Sequence, residues 1–250
     1  MENGDGQMTT IHLPEFKPQP DCRRCPLHQA AKNPGVPTRF FELSDPGSSL
    51  APLVVVGMNP GAKEDALNQC FSGPSGNLLT NVYLKHADIL SHPVYLTNAA
   101  RCPTLGNNEK PKQRHYNACW SYLHDDLIAI GDAHPNHIVY LLCLGADAYG
   151  SVSKHLLGKA MPLRHGFNNQ GQTNVLTFVD RYRIFATFHP AAVLREQKYL
   201  YPVSDHIELL ANALNGRLPT PSSPHLVDPT WPTPPTKKSK QHSSETFWTK

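Results

Sequence analysis

Three polar side chains that could bind and activate a flat, hydrogen-bonding ligand each follow a short apolar run. Asn59 lies in the string GMNPG, Asn98 ends the string YLTN, and His189 lies in the string TFHP. An asparagine presents a carbonyl acceptor beside an amide donor, and a histidine donates or accepts near neutral pH. Together, these groups would suit recognition of a polar heterocycle, orientation of a water molecule and stabilisation of developing charge.

Each of these residues also has an ordinary structural explanation. GMNPG would suit a tight strand-to-helix turn, in which Gly57 and Gly61 either let the backbone approach a ligand closely or simply bend the chain. Asn98 would equally suit a cap of the next turn, and His189 would equally suit an exposed loop. The functional interpretation therefore requires all three polar side chains to meet at one edge of the fold.

The segment after GMNPG adds acidic and aromatic candidates. Glu64 and Asp65 come first, and the string FSGPSGNLL then begins at Phe71 and includes Ser75. An aromatic ring at the start of a Gly/Pro turn either stacks on a flat ligand or packs in the core. Phe71 is therefore a candidate platform for a planar ligand.

A further apolar candidate follows TFHP, in the string AAVLR. Val193 and Leu194 lie near a predicted helix start, which suits an apolar wedge between stacked bases, although such residues more often belong to the core. Ala191 and Arg195 flank them. We therefore predict that this turn, together with Ser75, contacts nucleic acid.

The six cysteines are Cys22, Cys25, Cys70, Cys102, Cys119 and Cys143. The first two form a CxxC pair, and a metal site is favoured over disulfides because the first ten residues are polar and unlike a secretory signal. Four thiolates, from this pair together with Cys102 and Cys119, would suit either zinc or a 4Fe–4S cluster. Cys143 falls in an apolar run and is expected in the core, whereas Cys70 is expected to be a loop thiol.

The elements that must position these residues alternate between strands and helices. Apolar, β-branched runs predict strands at 53–56, 94–97, 138–144 and 183–187. Helical spacing predicts helices at 76–90, 114–130, 146–157 and 191–214, the last of them broken at Pro202. The alternation predicts an α/β fold: a three-layer α/β/α sandwich around a central four-stranded parallel sheet. Ligands bind such sheets beyond the carboxyl ends of the strands, where the three polar candidates fall.

Composition divides the 250 residues into an arm, one domain and a tail. Residues 1–20 lack periodicity, residues 21–216 carry the strand and helix pattern, and residues 217–250 are rich in Pro, Ser, Thr and Lys and are expected to be disordered. The net charge is +3, but residues 1–216 carry 18 charges of each sign, so DNA binding would need a local basic surface. No apolar run approaches the roughly 18–20 residues of a membrane span, which predicts a soluble, intracellular monomer.

Taken together, these motifs resemble the uracil-DNA glycosylase superfamily, and most closely its family-four, iron–sulfur members. The resemblance covers about residues 21–214. It rests on the combination of CxxC, the GMNPG loop followed by Glu-Asp, and the strings FSGPSGNLL, YLTNAARC, CLGADA and TFHPAAVLR. It implies an enzyme that flips uracil out of DNA, hydrolyses its N-glycosidic bond and leaves an abasic site.

The resemblance also implies a role for each matching residue. It gives the cluster ligands as Cys22, Cys25, Cys102 and Cys119, which favours a structural 4Fe–4S cluster over zinc. Phe71 would stack on the flipped base, Asn98 would bind the uracil edge, His189 would contact uracil O2, and Glu64 would crowd the C5 methyl group of thymine. Gly57 and Gly61 would approach the base, with backbone N–H groups near Gly61 as further donors.

One loop departs from the family-four pattern. Family-four members usually have GEAPG or GEGPG where this chain has Met58 and Asn59. GMNPG instead resembles the single-strand-selective and mismatch-specific branches, in which this asparagine positions the attacking water. Three alternatives stay open: a protein that binds uracil or damaged DNA without cleaving it, a glycosylase for hypoxanthine or xanthine, and a zinc-stabilised protein of unrelated function.

Overall fold

The computed structural model describes residues 13–42, 44–45, 47–85, 88–104, 106, 109–164, 176–178 and 181–217. Residues 1–12 of the predicted arm and residues 218–250 of the predicted tail lie outside this part of the chain. Within the described part, no helix is both long enough and apolar enough to cross a membrane.

The described strands form one mixed sheet. They are β1 Arg39–Phe40, β2 Leu53–Gly57, β3 Val94–Asn98, β4 Val139–Leu144, β5 Leu176–Phe178 and β6 Tyr182–Thr187, in the spatial order β1-β3-β2-β4-β6-β5. The central strands β3, β2, β4 and β6 are parallel, which confirms the predicted four-stranded parallel core. The edge strands β1 and β5 are antiparallel and were not predicted, because runs of two or three residues carry no readable period.

The described α-helices are α1 Ala62–Leu67, α2 Pro74–Leu78, α3 Gln113–Ala133, α4 Gly145–Leu157, α5 Pro190–Arg195 and α6 Leu200–Leu214. The predicted helix at 76–90 is not continuous, since α2 runs into a π-helical turn at Leu79–Leu84. The predicted break at Pro202 is wrong. The helix breaks instead at Glu196, whose extended backbone ends α5, and Pro202 lies in the first turn of α6, where a missing N–H removes no helical hydrogen bond.

Alternate residues of the central strands pack into two apolar layers, one on each face of the sheet. Leu53 and Val55 belong to one layer, whereas Val54 and Val56 belong to the other. Every residue of β2, β3 and β4 is therefore buried. Burial on both faces explains why these strands read as continuous apolar runs and not as alternating ones.

The parallel register brings the strand ends that carry the polar candidates to one edge of the sheet. Gly57, the last residue of β2, pairs with Asn98, the last residue of β3. Thr187 ends β6 beside the end of β4. Asn59 and His189 each lie two residues beyond these strand ends, so the register carries all three polar side chains to the same edge.

A buried ion pair ties the loop after β3 to helix α3. The Arg101 guanidinium donates to the Asp126 carboxylate and, at 3.2 Å, to the Tyr122 carbonyl oxygen. The Thr38 hydroxyl lies within hydrogen-bonding distance of Asp126 and, at 2.7 Å, of Thr97 Oγ1. The Arg101 and Asp126 side chains are only 3% and 14% exposed. Neither charge would be well solvated without its partner.

We expect Asp126→Ala to lower the free energy of unfolding by about 3–5 kcal/mol, because it leaves the Arg101 guanidinium buried without its carboxylate. Asp132→Ala is the matched control: Asp132 accepts from Arg181 at 3.0 Å in an exposed pair that should contribute at most about 1 kcal/mol. Urea titration measures both values. Equal losses in the two variants would contradict the assigned importance of the buried pair.

Candidate active site and cysteine cluster

A cavity of about 520 Å³ opens at the carboxyl edge of the sheet. It is lined by seven of the predicted site residues, namely Asn59, Gly61, Glu64, Phe71, Ser75, Asn98 and His189. Its other walls include Ala30 and Lys32 from the N-terminal segment, and Pro103 and Thr104 from the loop after β3. Side chains that are far apart in the sequence thus share one concave surface.

Gly57 allows two deeply buried side chains of this cavity to meet. Asn98 is 3% exposed and Phe71 is 6% exposed. A Cβ atom at position 57 would lie 2.3 Å from Asn98 Oδ1 and 2.8 Å from Phe71 Cζ, well inside van der Waals contact. The lack of a side chain at Gly57 therefore lets an amide and an aromatic ring approach each other over the end of β2.

Phe71 has a backbone conformation that residues other than glycine rarely adopt, with a φ of 55°. Such a conformation costs about 1–3 kcal/mol and persists only where the surroundings enforce it. Gly76 permits this conformation, because a Cβ atom there would lie 1.8 Å from the Phe71 carbonyl oxygen. Helix α2 thereby packs tightly against the backbone that carries the ring.

Glu64 connects the two loops that border the cavity. Its carboxylate accepts the Gly61 N–H at 2.5 Å and lies close enough to the Phe71 N–H to interact with it. Burial raises the pKa of Glu64, and these two N–H groups and the charge of Arg39 partly oppose the rise. Because the Gly61 N–H is committed to Glu64, any ligand donor in this loop must be a neighbouring N–H group.

His189 caps the N-terminus of helix α5, and its ring lines the cavity. Its Nδ1 accepts the Ala191 N–H at 3.1 Å, so the neutral ring carries its proton on Nε2. Burial, and to a lesser extent the charge of Arg195, lower the pKa of His189 to about 4. The ring is therefore neutral near pH 7 and can donate through Nε2 to an acceptor in the cavity.

The two asparagines are held by contacts of their amide nitrogens. Asn98 Nδ2 donates to Cys70 Sγ at 3.4 Å, and Asn59 Nδ2 donates to the Pro60 carbonyl oxygen at 3.0 Å. In both residues this hydrogen bond fixes the position of the amide nitrogen. The side chain of Asn98 lies within the protein, whereas that of Asn59 is partly exposed at the cavity.

The cysteines outside the predicted cluster are both completely buried. Cys143 lies in β4 and in the core, as predicted. Cys70 lies in the loop between α1 and α2, as predicted, but its side chain is buried in the opposite core layer. Burial raises the pKa of Cys70 to about 12.

Helix α5 forms part of the surface beside the cavity. Leu194 is 54% exposed and Arg195 is also exposed, as a contact with DNA requires. Val193 is only 5% exposed and packs in the core, so the prediction that it could act as a wedge is wrong. Ala191 is half-buried, and α5 packs against α2, which carries Ser75.

The four cysteines predicted as ligands lie in the same region of the structure, since Cys102 and Cys119 each interact electrostatically with Cys22 and Cys25. Cys102 and Cys119 are buried, and Cys22 and Cys25 are half-buried. Burial, opposed by a backbone hydrogen bond and reinforced by the other three thiols, raises the pKa of Cys102 to about 12. The four thiols therefore lie close enough to interact electrostatically. Among the described residues, no three or more His, Cys, Asp or Glu side chains stand at metal-binding distances from a common point.

Residues that were not predicted surround these thiols. Gly35, with a φ of 74°, donates its N–H to Cys102 Sγ at 3.3 Å. Tyr122 interacts electrostatically with Cys22, and the Arg24 guanidinium lies 4.3 Å from the centroid of the Tyr122 ring. Backbone donors to sulfur tune and hold thiolate clusters in proteins. Neighbouring thiols with such a backbone donor are chemically suited to bind a metal, although they do not stand at metal-binding distances in this arrangement.

A polar cavity with an aromatic wall, at the carboxyl edge of a parallel sheet, is typical of α/β proteins that bind a ligand beyond the strand ends. The sequence profile described as the Uracil DNA glycosylase superfamily matches residues 45–213. The chain belongs to the uracil-DNA glycosylase superfamily.

Proteins similar to this chain carry the name type-4 uracil-DNA glycosylase. The one from Pyrobaculum aerophilum is 31% identical over 176 residues, which cover 70% of this chain and 81% of the relative. The one from Archaeoglobus fulgidus is 32% identical over 179 residues, covering 69% and 78%. The one from Thermotoga maritima is 30% identical over 176 residues, covering 70% and 79%.

We expect the His189 ring to stay neutral, with the proton on Nε2, down to about pH 4. Since its pKa in the unfolded chain is about 6.5, the stability that this residue contributes is complete above that pH and is lost as the pH falls towards 4. ¹⁵N NMR of labelled histidines measures both properties, with His189→Gln for assignment. A charged ring at pH 6, or a proton on Nδ1, would contradict the assignment.

Proposed function

We propose that this protein is a DNA-repair glycosylase that flips uracil out of DNA and hydrolyses its N-glycosidic bond, which leaves an abasic site. The observation that carries the proposal is the convergence of Asn59, Phe71, Asn98 and His189 on one cavity. Membership of the superfamily and the likeness to relatives named type-4 uracil-DNA glycosylase support it.

Phe71 and Asn98 would hold the flipped base. Extrusion of a base from the duplex costs a few kcal/mol, and stacking on an aromatic ring returns about 1–3 kcal/mol. Uracil presents an N3–H donor beside the O4 acceptor, which matches Asn98 Oδ1 and Nδ2. Cytosine presents the opposite pattern at these two positions, so the same amide orientation disfavours it.

His189 would stabilise the leaving group. Cleavage of the glycosidic bond places negative charge on uracil, and a donor set in place before the reaction stabilises such charge strongly. The Ala191 N–H occupies Nδ1 and leaves the Nε2 proton to bind uracil O2. A neutral donor also avoids the cost of keeping a charged imidazolium in a site that is largely buried.

Asn59 would orient the water that attacks C1′ of the sugar. Its Nδ2 donates to the Pro60 carbonyl oxygen, and this contact sets the direction of Oδ1. Oδ1 would then accept a hydrogen bond from the water. Asparagine is a weak base, and its contribution is therefore orientation and not proton removal. Met58 has no group that could take the proton.

DNA would be held beside the cavity by exposed residues of α5. Leu194 would fill the space that the flipped base vacates, because its side chain is exposed on α5, the helix that His189 caps. Arg195 carries a positive charge beside it, which suits a phosphate. Ser75 lines the cavity from α2 and supplies a hydroxyl to the same backbone.

The residues that would hold a 4Fe–4S cluster are Cys22, Cys25, Cys102 and Cys119. When bound, the cluster supplies a covalent link between the N-terminal segment and the loop after β3. The electrostatic interactions among these thiols support this assignment.

Such a link would fix two walls of the cavity. Ala30 and Lys32 follow Cys25 closely in the chain, and Pro103 and Thr104 directly follow Cys102. Asp65 secures the first of these walls independently, since its carboxylate accepts the Lys32 N–H at 2.8 Å. The metal site would thus act through the shape of the cavity and not in the chemical step.

We expect the purified protein to release uracil from DNA, and His189→Ala and Asn59→Ala each to slow single-turnover release by about 10²–10³-fold, through loss of a donor and of water orientation. Abasic sites are detected by strand cleavage in alkali. Asn117→Ala, on the exposed face of α3, is the control and should keep the wild-type rate. Wild-type rates in both site variants would reject the assigned roles. An inactive wild-type protein would reject the proposed function and favour a protein that only binds.

We also expect the purified protein to be brown and to contain about four iron atoms per chain. Cys102→Ser and Cys119→Ser should lose most of the iron, because each removes a thiolate ligand. Cys143→Ser is the matched control, since Cys143 is buried in β4. Zinc in place of iron, or an unchanged iron content in the two ligand variants, would contradict the cluster assignment.

A further inference from the structure

Cys70 is a completely buried side chain that the mechanism above does not use. Its Sγ donates to the Pro37 carbonyl oxygen at 3.2 Å and accepts the Nδ2–H of Asn98 at 3.4 Å. The sulfur therefore forms the middle of a short chain of hydrogen bonds. One end of this chain is fixed backbone, and the other end is the amide that would bind the base.

We propose that Cys70 is a positioning residue that determines base specificity, because its sulfur fixes the Asn98 amide in the orientation that matches uracil and not cytosine. This inference rests on the proposed function, in which Asn98 binds the Watson–Crick edge of the flipped base. It assigns to a buried thiol a role in recognition that needs no contact with the substrate.

The direction of the hydrogen bonds decides the orientation of the amide. The thiol has one proton, and that proton is given to Pro37. Towards Asn98 the sulfur can therefore only accept, so the Asn98 nitrogen must face Cys70. The second proton of Nδ2 then serves O4 of uracil, and Oδ1 accepts N3–H.

Binding of cytosine would need the opposite amide orientation. Oδ1 would then face the Cys70 sulfur, and two acceptors would oppose each other in a buried site unless the thiol gave up its bond to Pro37. Either outcome leaves a buried polar group without a partner, which is costly. Only the binding of cytosine is weakened in this way, so the protein should bind uracil more tightly than cytosine.

The surroundings hold Cys70 in place. Its carbonyl oxygen accepts from Arg39 Nε at 2.9 Å, and the next residue, Phe71, is fixed by its unusual backbone conformation. Burial raises the pKa of Cys70 to about 12, so the sulfur keeps the proton that the bond to Pro37 requires. This protonation state agrees with the hydrogen bond from Cys70 to the Pro37 carbonyl oxygen.

The test compares affinities for oligonucleotides that carry one 2′-fluoro-2′-deoxyuridine or one 2′-fluoro-2′-deoxycytidine, neither of which is readily hydrolysed. Fluorescence anisotropy gives the ratio of the two dissociation constants for each protein. We expect Cys70→Ala to reduce the preference for uracil by about threefold to tenfold, the value of one hydrogen bond. Cys70→Ser, whose hydroxyl can also donate to Pro37 and accept from Asn98, should restore most of the preference.

Cys143→Ala is the matched control, because it removes another completely buried thiol, in β4, away from the cavity lining. It should lower the melting temperature without changing the preference for uracil. An unchanged preference in Cys70→Ala, an equal loss in Cys70→Ser, or an equal loss in Cys143→Ala would each overturn the proposal. Failure of the wild-type protein to release uracil from ordinary DNA would instead overturn the proposed function, and the two failures are therefore distinguishable.

Discussion

The close approach of Asn98 and Phe71 over Gly57 is the contact on which the rest of the site depends. The parallel pairing of β2 with β3 sets Gly57 opposite Asn98, and the absence of a side chain at Gly57 leaves room for the ring and the amide. Phe71 reaches this position only with a strained backbone, which Gly76 permits by leaving space beneath it. Strain and close packing are thus concentrated where a base would bind, a pattern expected of preorganised sites.

Charged groups secure the loops around this contact. Arg101 and Asp126 tie the loop after β3 to α3, and Glu64 ties the GMNPG turn to Phe71. A cluster bound by the four cysteines, as proposed, would join the N-terminal segment to Cys102, the residue that follows Arg101. Each of these interactions stabilises a loop that borders the cavity. The sheet itself positions the residues that would bind the base.

The sequence predicted the parts of this arrangement that follow from local pattern. Continuous apolar runs identify strands buried on both faces, and parallel strands bring their carboxyl ends together, so the meeting of Asn98 and His189 could be predicted. It did not reveal that Val193 is buried while Leu194 is exposed, because both are apolar and adjacent. Tertiary contacts produce no periodic pattern in the sequence and could not be predicted from it. They determine the burial of Cys70, the hydrogen bond from the Gly61 N–H to Glu64 and the hydrogen bond from the Gly35 N–H to Cys102.

The most direct measurement of the central claim is a crystal structure of the protein with DNA that contains 2′-fluoro-2′-deoxyuridine. The account predicts a flipped uracil stacked on Phe71, with its N3–H and O4 at the Asn98 amide and its O2 at His189 Nε2. A uracil that stays stacked in the helix, or that lies in the protein away from these three side chains, would contradict it.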